Sequence, residues 1–373
     1  MGHPYNDHRG DPSSALLEVL DPEQNNAFVD HYMGVPMDLS KVMFIANANT
    51  LSTIPAPLRD RLELIEVSGY TEEEKVAIAN QYLIPKQIKE AGLDSIGVDF
   101  SVDSVSTIIN GYTRESGLRK LEQQIASVCR KVARKYAELD EKGQEKGNFD
   151  LTRNEIISHL GAEKFGDNFY HKEAAVGVSL GLAYTQFGGE VLAIESTLVP
   201  TGSFKLVLTG KLGEVMKESA QAALSFVRAS ASQFGFDPAV LEKNELHIHF
   251  PAGAVPKDGP SAGVAIASAI LSALLDVAPT EKIAMTGEIT IHGKVLPIGG
   301  VREKLLAAQR EGMNLVLLPA KNKAQYEELP DSLKQNLDVK FVSEYYEAFC
   351  SLFPEEASVT GVTGSFSENS VAS

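Results

Sequence analysis

The 373-residue sequence predicts an α/β segment at its N-terminus, a helical middle and an α+β C-terminal half. Three features carry that reading. "KVMFIANAN" (41–49) reads as a buried strand with a polar end, and helical periods with capping signals dominate from 71 to 160. Near residue 176 the texture changes to glycine, valine and alternating patterns, as in "VGVSLGLAYTQFGGEVLAIESTLV" and "KLVLTGKLGEV".

In chain order, "SSALLEVLD" (13–21) is a short amphipathic helix. "IPAPLRDRLELIEV" (54–67) is a proline-opened turn or helix that leads into a strand. "TEEEKVAIANQYLIPKQIKEAG" (71–92) carries a Thr71/Glu74 capping box, ends at glycine and is bent at Pro85. Helices follow at 103–111, 117–142 and 152–160, with a polar linker, "EKGQEKGN", at 141–148. The residues from Pro354 onward lack apolar periodicity and are rich in Ser, Gly and Thr, so they read as a disordered tail.

A hydrophobic content of 43% with 23% charged residues describes an ordinary globular chain. The apolar run at 264–275 is too short and too rich in Ala and Ser to span a bilayer, so no membrane partner is expected. No N-terminal stretch combines a basic start with an apolar core, so a secretory signal is not expected. Cys129 and Cys350 form neither a disulfide framework nor a metal pattern, which fits a reducing compartment such as the cytoplasm. A net charge of −16 counts against a dedicated nucleic-acid binder and leaves only a local basic stripe open.

"PKDGPSAGVAIASAI" (256–270) raises the chemical question, because Ser261 stands among small residues directly before an apolar helix at 262–275. Gly259-Pro260-Ser261-Ala262-Gly263 matches G-x-S-x-G, but the preceding "PAGAVPKDGP" carries three prolines and cannot be the central strand that a nucleophile elbow needs. Downstream, His292 is the only histidine, which leaves no acid-then-histidine order. Two readings fit Ser261: a cap of the following helix, or a nucleophile whose oxyanion is held by a helix N-terminus. A nucleophile needs a base, and without histidine a desolvated lysine is the remaining type.

"GGVREKLLAAQREG" (299–312) reads as a helix in which Val301, Lys304, Leu305 and Ala308 share one side. Lys304 is therefore either the inward lysine or one that snorkels to water. Thr286, in "MTGE", falls at a strand end, either as an ordinary threonine or where its hydroxyl orients the Lys304 amine. His247 and His249 share one face of a strand, but H-x-H needs a third ligand and none is evident, so no metal is expected. Lys257 and Asp258 either shape substrate binding or form a solvated turn.

"PKDGPSAG", "AMTGEITIHGKVLPIGGVREKLLAAQREGM" and "TGKLGEVMKESAQAAL" resemble the proteolytic domain of the ATP-dependent Lon proteases. In that family the serine of PKDGPSAG and the second basic residue of the (K/R)EK triplet form the catalytic dyad, which the resemblance carries onto Ser261 and Lys304. It implies a serine endopeptidase that cuts unfolded, damaged or short-lived polypeptides. Backbone groups near Gly259, Pro260 and Ala262 would hold the oxyanion. The subunits would form a homohexameric ring with the active sites inside, and DNA association is suggested for the family alone.

"KVMFIANANTLSTIPAPLRDRLELIEVSGYTEEEK" similarly resembles the later part of a Lon AAA+ module. The resemblance implies a sensor-1 role for Asn49, an arginine finger in Arg61, a sensor-2 role for Arg119 and an adenine neighbour in Tyr70. The implied limits are a partial large AAA+ subdomain at 1–68, a helical lid at 69–170, the proteolytic domain at 176–353 and the tail at 354–373. One departure matters. No G-x-x-x-x-G-K-[ST] occurs, since the Gly-Lys pairs at 210–211 and 293–294 are followed by Leu and Val, and the apolar run ending in Asp-Glu is missing. The expectation is that the chain does not bind or hydrolyse ATP with Mg²⁺ alone, being truncated or working without ATP. A non-degrading interaction module or ring partner is the alternative function.

Overall fold

The structure is a computed structural model that describes residues 12–30, 32–48, 51, 54–65, 67, 69–141, 148–165, 174–185, 188–251, 257–334 and 337–361. Two compact units divide the chain, Met1–Ser68 and Gly69–Ser373.

In the first unit, α1 (Pro12–Leu20) and α2 (Ala56–Arg59) accompany β1 (Phe28–Val29), which pairs antiparallel with β2 (Pro36–Met37). The strand expected at 41–49 does not form over its described residues, and neither does the one expected after α2. Met43 is 84% and Ile45 87% exposed. A strand needs a neighbour for its backbone N–H and C=O groups, and the described residues of this unit supply no strand beside 41–48. The apolar sequence is there, but its pairing partner is not.

The second unit opens with α3 (Glu72–Ile78), where both bonds of the Thr71/Glu74 capping box are made. A wider π-type turn (Ala79–Leu83) then leads into α4 (Ile84–Glu90). The widening immediately precedes Pro85, whose missing N–H removes one α-helical bond, so the expected bend is a change of winding. The strand β3 (Val98–Phe100), α5 (Val102–Tyr112), α6 (Arg119–Glu141), β4 (Phe149–Leu151) and α7 (Arg153–Leu160) complete the helical part, with β3 and β4 paired parallel. Val105, Ile108, Leu121, Ile125, Val128 and Val132 recur every three or four residues and are all fully buried, so α5 and α6 share one core.

The C-terminal part contains, in order, β5 (Val178–Thr185), β6 (Gly188–Pro200), β7 (Lys205–Thr209), α8 (Glu214–Ala229), α9 (Ala231–Phe234), α10 (Ala239–Glu242), β8 (Asn244–His249), α11 (Gly263–Leu275) and β9 (Ile283–Met285). After these come β10 (Glu288–Ile289), β11 (Val295–Leu296), α12 (Val301–Arg310), β12 (Leu315–Pro319), α13 (Lys323–Glu327), α14 (Asp331–Lys334), β13 (Asp338–Val342), α15 (Tyr345–Leu352) and α16 (Pro354–Thr360). A seven-stranded sheet runs β13-β12-β9-β5-β6-β8-β7. The segment β13-β12-β9-β5 is parallel, and β6 is antiparallel to both its neighbours.

Alternation along β9 and β12 assigns the two faces. Ile283, Met285 and Leu317 enter the core that holds α8, α11 and α15, while Ala284, Val316 and Leu318 enter the core that holds α12. Between them, α11 and α12 approach the sheet from opposite sides. The first ten residues of α11 are all buried, which explains its uniformly apolar sequence. At the C-terminus, α16 occupies 354–360 with Pro354 in its first turn and Ala357 buried, so the expected tail is helical there. Residues 362–373 lie outside the described residues, as do 142–147 of the expected linker.

Candidate active site

Ser261 sits in a single 3-10 turn (Pro260–Ala262) that runs into α11. The residue at the helix cap is Ala262, and no side chain caps it, so the capping reading of Ser261 is set aside. The turn is reached through Gly259, whose φ of 123° lies where a side chain would be strained. Its approach is held by hydrogen bonds, with Lys257 buried and Asp258 exposed. The Lys257 N–H donates to the Lys211 carbonyl at 3.2 Å, and the Lys257 carbonyl accepts from Gly213 N–H at 2.8 Å. The Asp258 carboxylate accepts from the Met216 N–H at 3.0 Å, at the start of α8, and from the Gly259 N–H at 2.9 Å.

The turn is also tied to the carboxyl end of β9. The Ser261 carbonyl accepts from the Gly287 N–H at 2.8 Å, and Val264 N–H donates to the Gly287 carbonyl at 3.1 Å. A side chain at Gly287 would strike Val295 and Val264 at 2.7 and 2.8 Å, so this close pairing needs glycine. Thr286, fully buried, donates its hydroxyl to the Ser261 carbonyl at 3.2 Å.

Lys304 reaches the same point from the other face of the sheet. It is 2% exposed, so it points inward and does not snorkel. Its Nζ donates to Thr286 Oγ1 at 2.9 Å. Among the described residues no carboxylate pairs with it, and burial alone lowers its pKa from 10.5 to about 8. The result is one continuous path: amine, Thr286 hydroxyl, Ser261 carbonyl. A hydroxyl has a single hydrogen, and Thr286 spends it on the Ser261 carbonyl, so toward Lys304 it acts only as an acceptor.

Other residues singled out by sequence lie elsewhere. Asn49 falls outside the described residues. Arg61 pairs with Asp21 at 3.4 Å and donates to the Pro57 carbonyl, within the first unit. Arg119 is exposed at the first residue of α6. Tyr70 donates its N–H to the Ser116 carbonyl at 3.0 Å and lines a cavity of about 800 Å³ together with Lys75, Glu303 and Arg310. His247 and His249 share one partner, Thr209 Oγ1, at 2.9 and 2.6 Å. Pro260 has no N–H and that of Gly259 is committed to Asp258, so neither is an oxyanion donor here, against the sequence expectation. Gly287 and the capping role of Asp258 were not anticipated. The tight "TGE" triplet after a strand and an aspartate beside a helix start were the available signals.

Among the described residues no three His, Cys, Asp or Glu side chains gather as a metal site, and no helix is long and apolar enough to cross a membrane. Gly210-Lys211 lies between β7 and α8 but is followed by Leu212, and Gly293-Lys294 lies in the turn between β10 and β11 and is followed by Val295, so neither pair carries the Ser or Thr that a phosphate cradle needs. These residues do not fit ATP.

Comparison with known proteins gives the same frame. Residues 150–354 match the Lon protease (S16) C-terminal proteolytic domain, and residues 89–146 match the Lon protease AAA+ ATPase lid domain. Lon protease of Syntrophomonas wolfei is 52% identical over 342 residues, covering 91% of this chain and 41% of that protein. Lon protease of Bacillus thuringiensis is 51% identical over 342 residues, covering 92% and 42%, and Lon protease 1 of Myxococcus xanthus is 50% identical over 354 residues, covering 94% and 43%. The chain thus spans well under half the length of these relatives. It belongs to the Lon protease family.

Proposed function

We propose that the chain is a serine endopeptidase in which Ser261 is the nucleophile and Lys304 the general base. A single observation carries this: a buried amine with no carboxylate partner, whose hydrogen bond passes through Thr286 to the backbone of Ser261. A pKa of about 8 leaves roughly a tenth of Lys304 neutral at pH 7, against roughly one part in 2,500 for an ordinary lysine. The neutral amine uses one N–H on Thr286, and its lone pair is left for the Ser261 hydroxyl.

In the reaction the Ser261 oxygen bonds to the substrate carbonyl carbon while its proton passes to Lys304. The N–H groups of Ser261 and Ala262, at the mouth of α11, receive the oxyanion. Collapse breaks the C–N bond, and the lysine proton leaves with the amine. Lys304, neutral again, takes a proton from water, which opens the acyl-enzyme and returns the serine.

Unfolded or damaged polypeptides are the substrate class, since they present extended backbone to such a turn. The first unit is read as the later part of an AAA+ large subdomain; its Asn49 and Arg61, and Tyr70 and Arg119 of the lid, would serve a nucleotide bound elsewhere in a homohexameric ring. No ATP or Mg²⁺ enters the hydrolysis. A reducing, cytoplasmic setting fits two cysteines that form no disulfide, Cys129 with its thiol pushed up to about 11 by burial.

The test is cleavage of casein and of a short unstructured peptide by Ser261→Ala and Lys304→Ala, with folding followed by circular dichroism. Both variants should fold and be inactive. Wild-type rates in either would remove the dyad, and a native mass without hexamers would remove the ring.

A further inference from the structure

The helix that carries Lys304 also carries the contacts to the lid. At about 100° per residue, Arg302, Leu306, Gln309 and Arg310 fall on one side of α12, and Lys304 lies about 175° from the mean direction of that side. Glu303, Leu306, Gln309 and Arg310 line the cavity whose other wall is the lid segment from Tyr70 to Ala77. Arg302 crosses to that wall. Its guanidinium donates to the Gly69 carbonyl at 3.0 Å and lies 3.8 Å from the Glu74 carboxylate. Glu74 in turn closes the capping box of α3, so the contact reaches the first turn of the lid.

The first turn of α12 also packs on the sheet through buried Val301 and Lys304, and Arg302 is its link to the lid. The helix begins after Gly299-Gly300, and Gly300 has a φ of 69°, so the chain enters through its most permissive residue type. At the far end Arg310 donates to the Gly189 carbonyl at 3.2 Å, and Arg114 of the lid pairs with Glu190 and Glu311 at 3.2 and 3.7 Å. Arg302 Nε is buried without a protein partner among the described residues. An unpaired buried N–H is unfavourable, and a side chain held by nothing else would turn out to water.

We propose that Arg302 is a positioning residue for Lys304, tying the first turn of α12 to the lid at Gly69 and Glu74 and so setting how deeply the amine is buried. This rests on the reading of Lys304 as the base. Loss of the tether lets the first turn ride up, water reaches the amine, and the amine holds its proton more tightly.

The experiment measures peptide cleavage by the full chain between about pH 6 and about pH 10.5, with thermal unfolding recorded alongside. Arg302→Gln should lower kcat about tenfold with KM within about twofold, and move the acid limb upward by about half a unit or more. Glu74→Gln, a surface change that keeps the fold if Arg302→Gln does not, should move the limb the same way by less. Arg302→Lys should restore most of the rate, because an ammonium also reaches the Gly69 carbonyl. A lower rate with an unmoved limb would mean support of the fold alone and would overturn the proposal, as would an unchanged rate and limb. Lys304→Met separates the two readings. If it is inactive while the Arg302→Gln limb stays put, only the positioning role fails. If it cleaves normally, or if the wild-type chain cleaves at no pH, the dyad fails and takes this proposal with it.

Discussion

Two buried lysines, one in the lid and one on α12, show what burial alone does and what a carboxylate undoes. Lys75 and Lys304 are both nearly inaccessible, and in both burial is the main cause of a lowered pKa. Around Lys75 the loss is opposed by the charges of Glu115 and Glu72, and its amine donates to the Glu115 carbonyl. Lys304 meets only a threonine hydroxyl, and nothing returns the proton's stability. On the proposed reading the first lysine has a structural part and the second serves as the base. The difference lies in the company each keeps and not in depth.

The largest effect expected from breaking this comparison is at the dyad. Lys304→Met should abolish peptide cleavage, whereas Lys75→Met should leave the position of the pH limb unchanged, as measured by kcat/KM across pH. Next comes the orienting hydroxyl. Thr286→Val removes the acceptor for the Lys304 amine and should lower kcat by roughly ten- to a hundredfold, with Thr286→Ser close to wild type. A smaller, opposite effect is expected in stability. The folded pKa of Lys304 is depressed, so below about pH 8 both states carry the proton and the folded state bears the burial penalty. That penalty is relieved as pH rises from about 8 toward 10.5, where the unfolded chain still binds the proton. Lys304→Met should therefore stabilise the protein at neutral pH, by on the order of 2–3 kcal/mol, and the gain should shrink through that window. The smallest effect is at Lys75→Met, which leaves the Glu115 carbonyl unpaired and should cost about 1–3 kcal/mol in thermal or urea unfolding.

Local pattern carried much of the site. The helical period put Lys304 on the apolar side of its helix without deciding between an inward and a snorkelling amine, and the density of glycine and proline marked Ser261 as exceptional. Both judgments depend on near neighbours, where sequence is informative. The path between them is not local: Thr286 meets a carbonyl 25 positions away, and Arg302 meets one 233 positions away. No periodicity encodes such contacts, because topology decides them. The same limit explains the misread strand at 41–49, whose apolar residues said "buried" without saying against what. The helix at 354–360 was missed for a different reason. Seven residues are too few to establish a period, although Pro354 followed by two glutamates is an ordinary helix start.

The most direct test of the central claim is the pH dependence of kcat/KM for a short unstructured peptide. Cleavage should rise through an ionisation near pH 8 that Lys304→Met eliminates along with the activity. A flat profile across that range, or an unshifted limb that survives in Lys304→Met, would contradict a neutral lysine as the base.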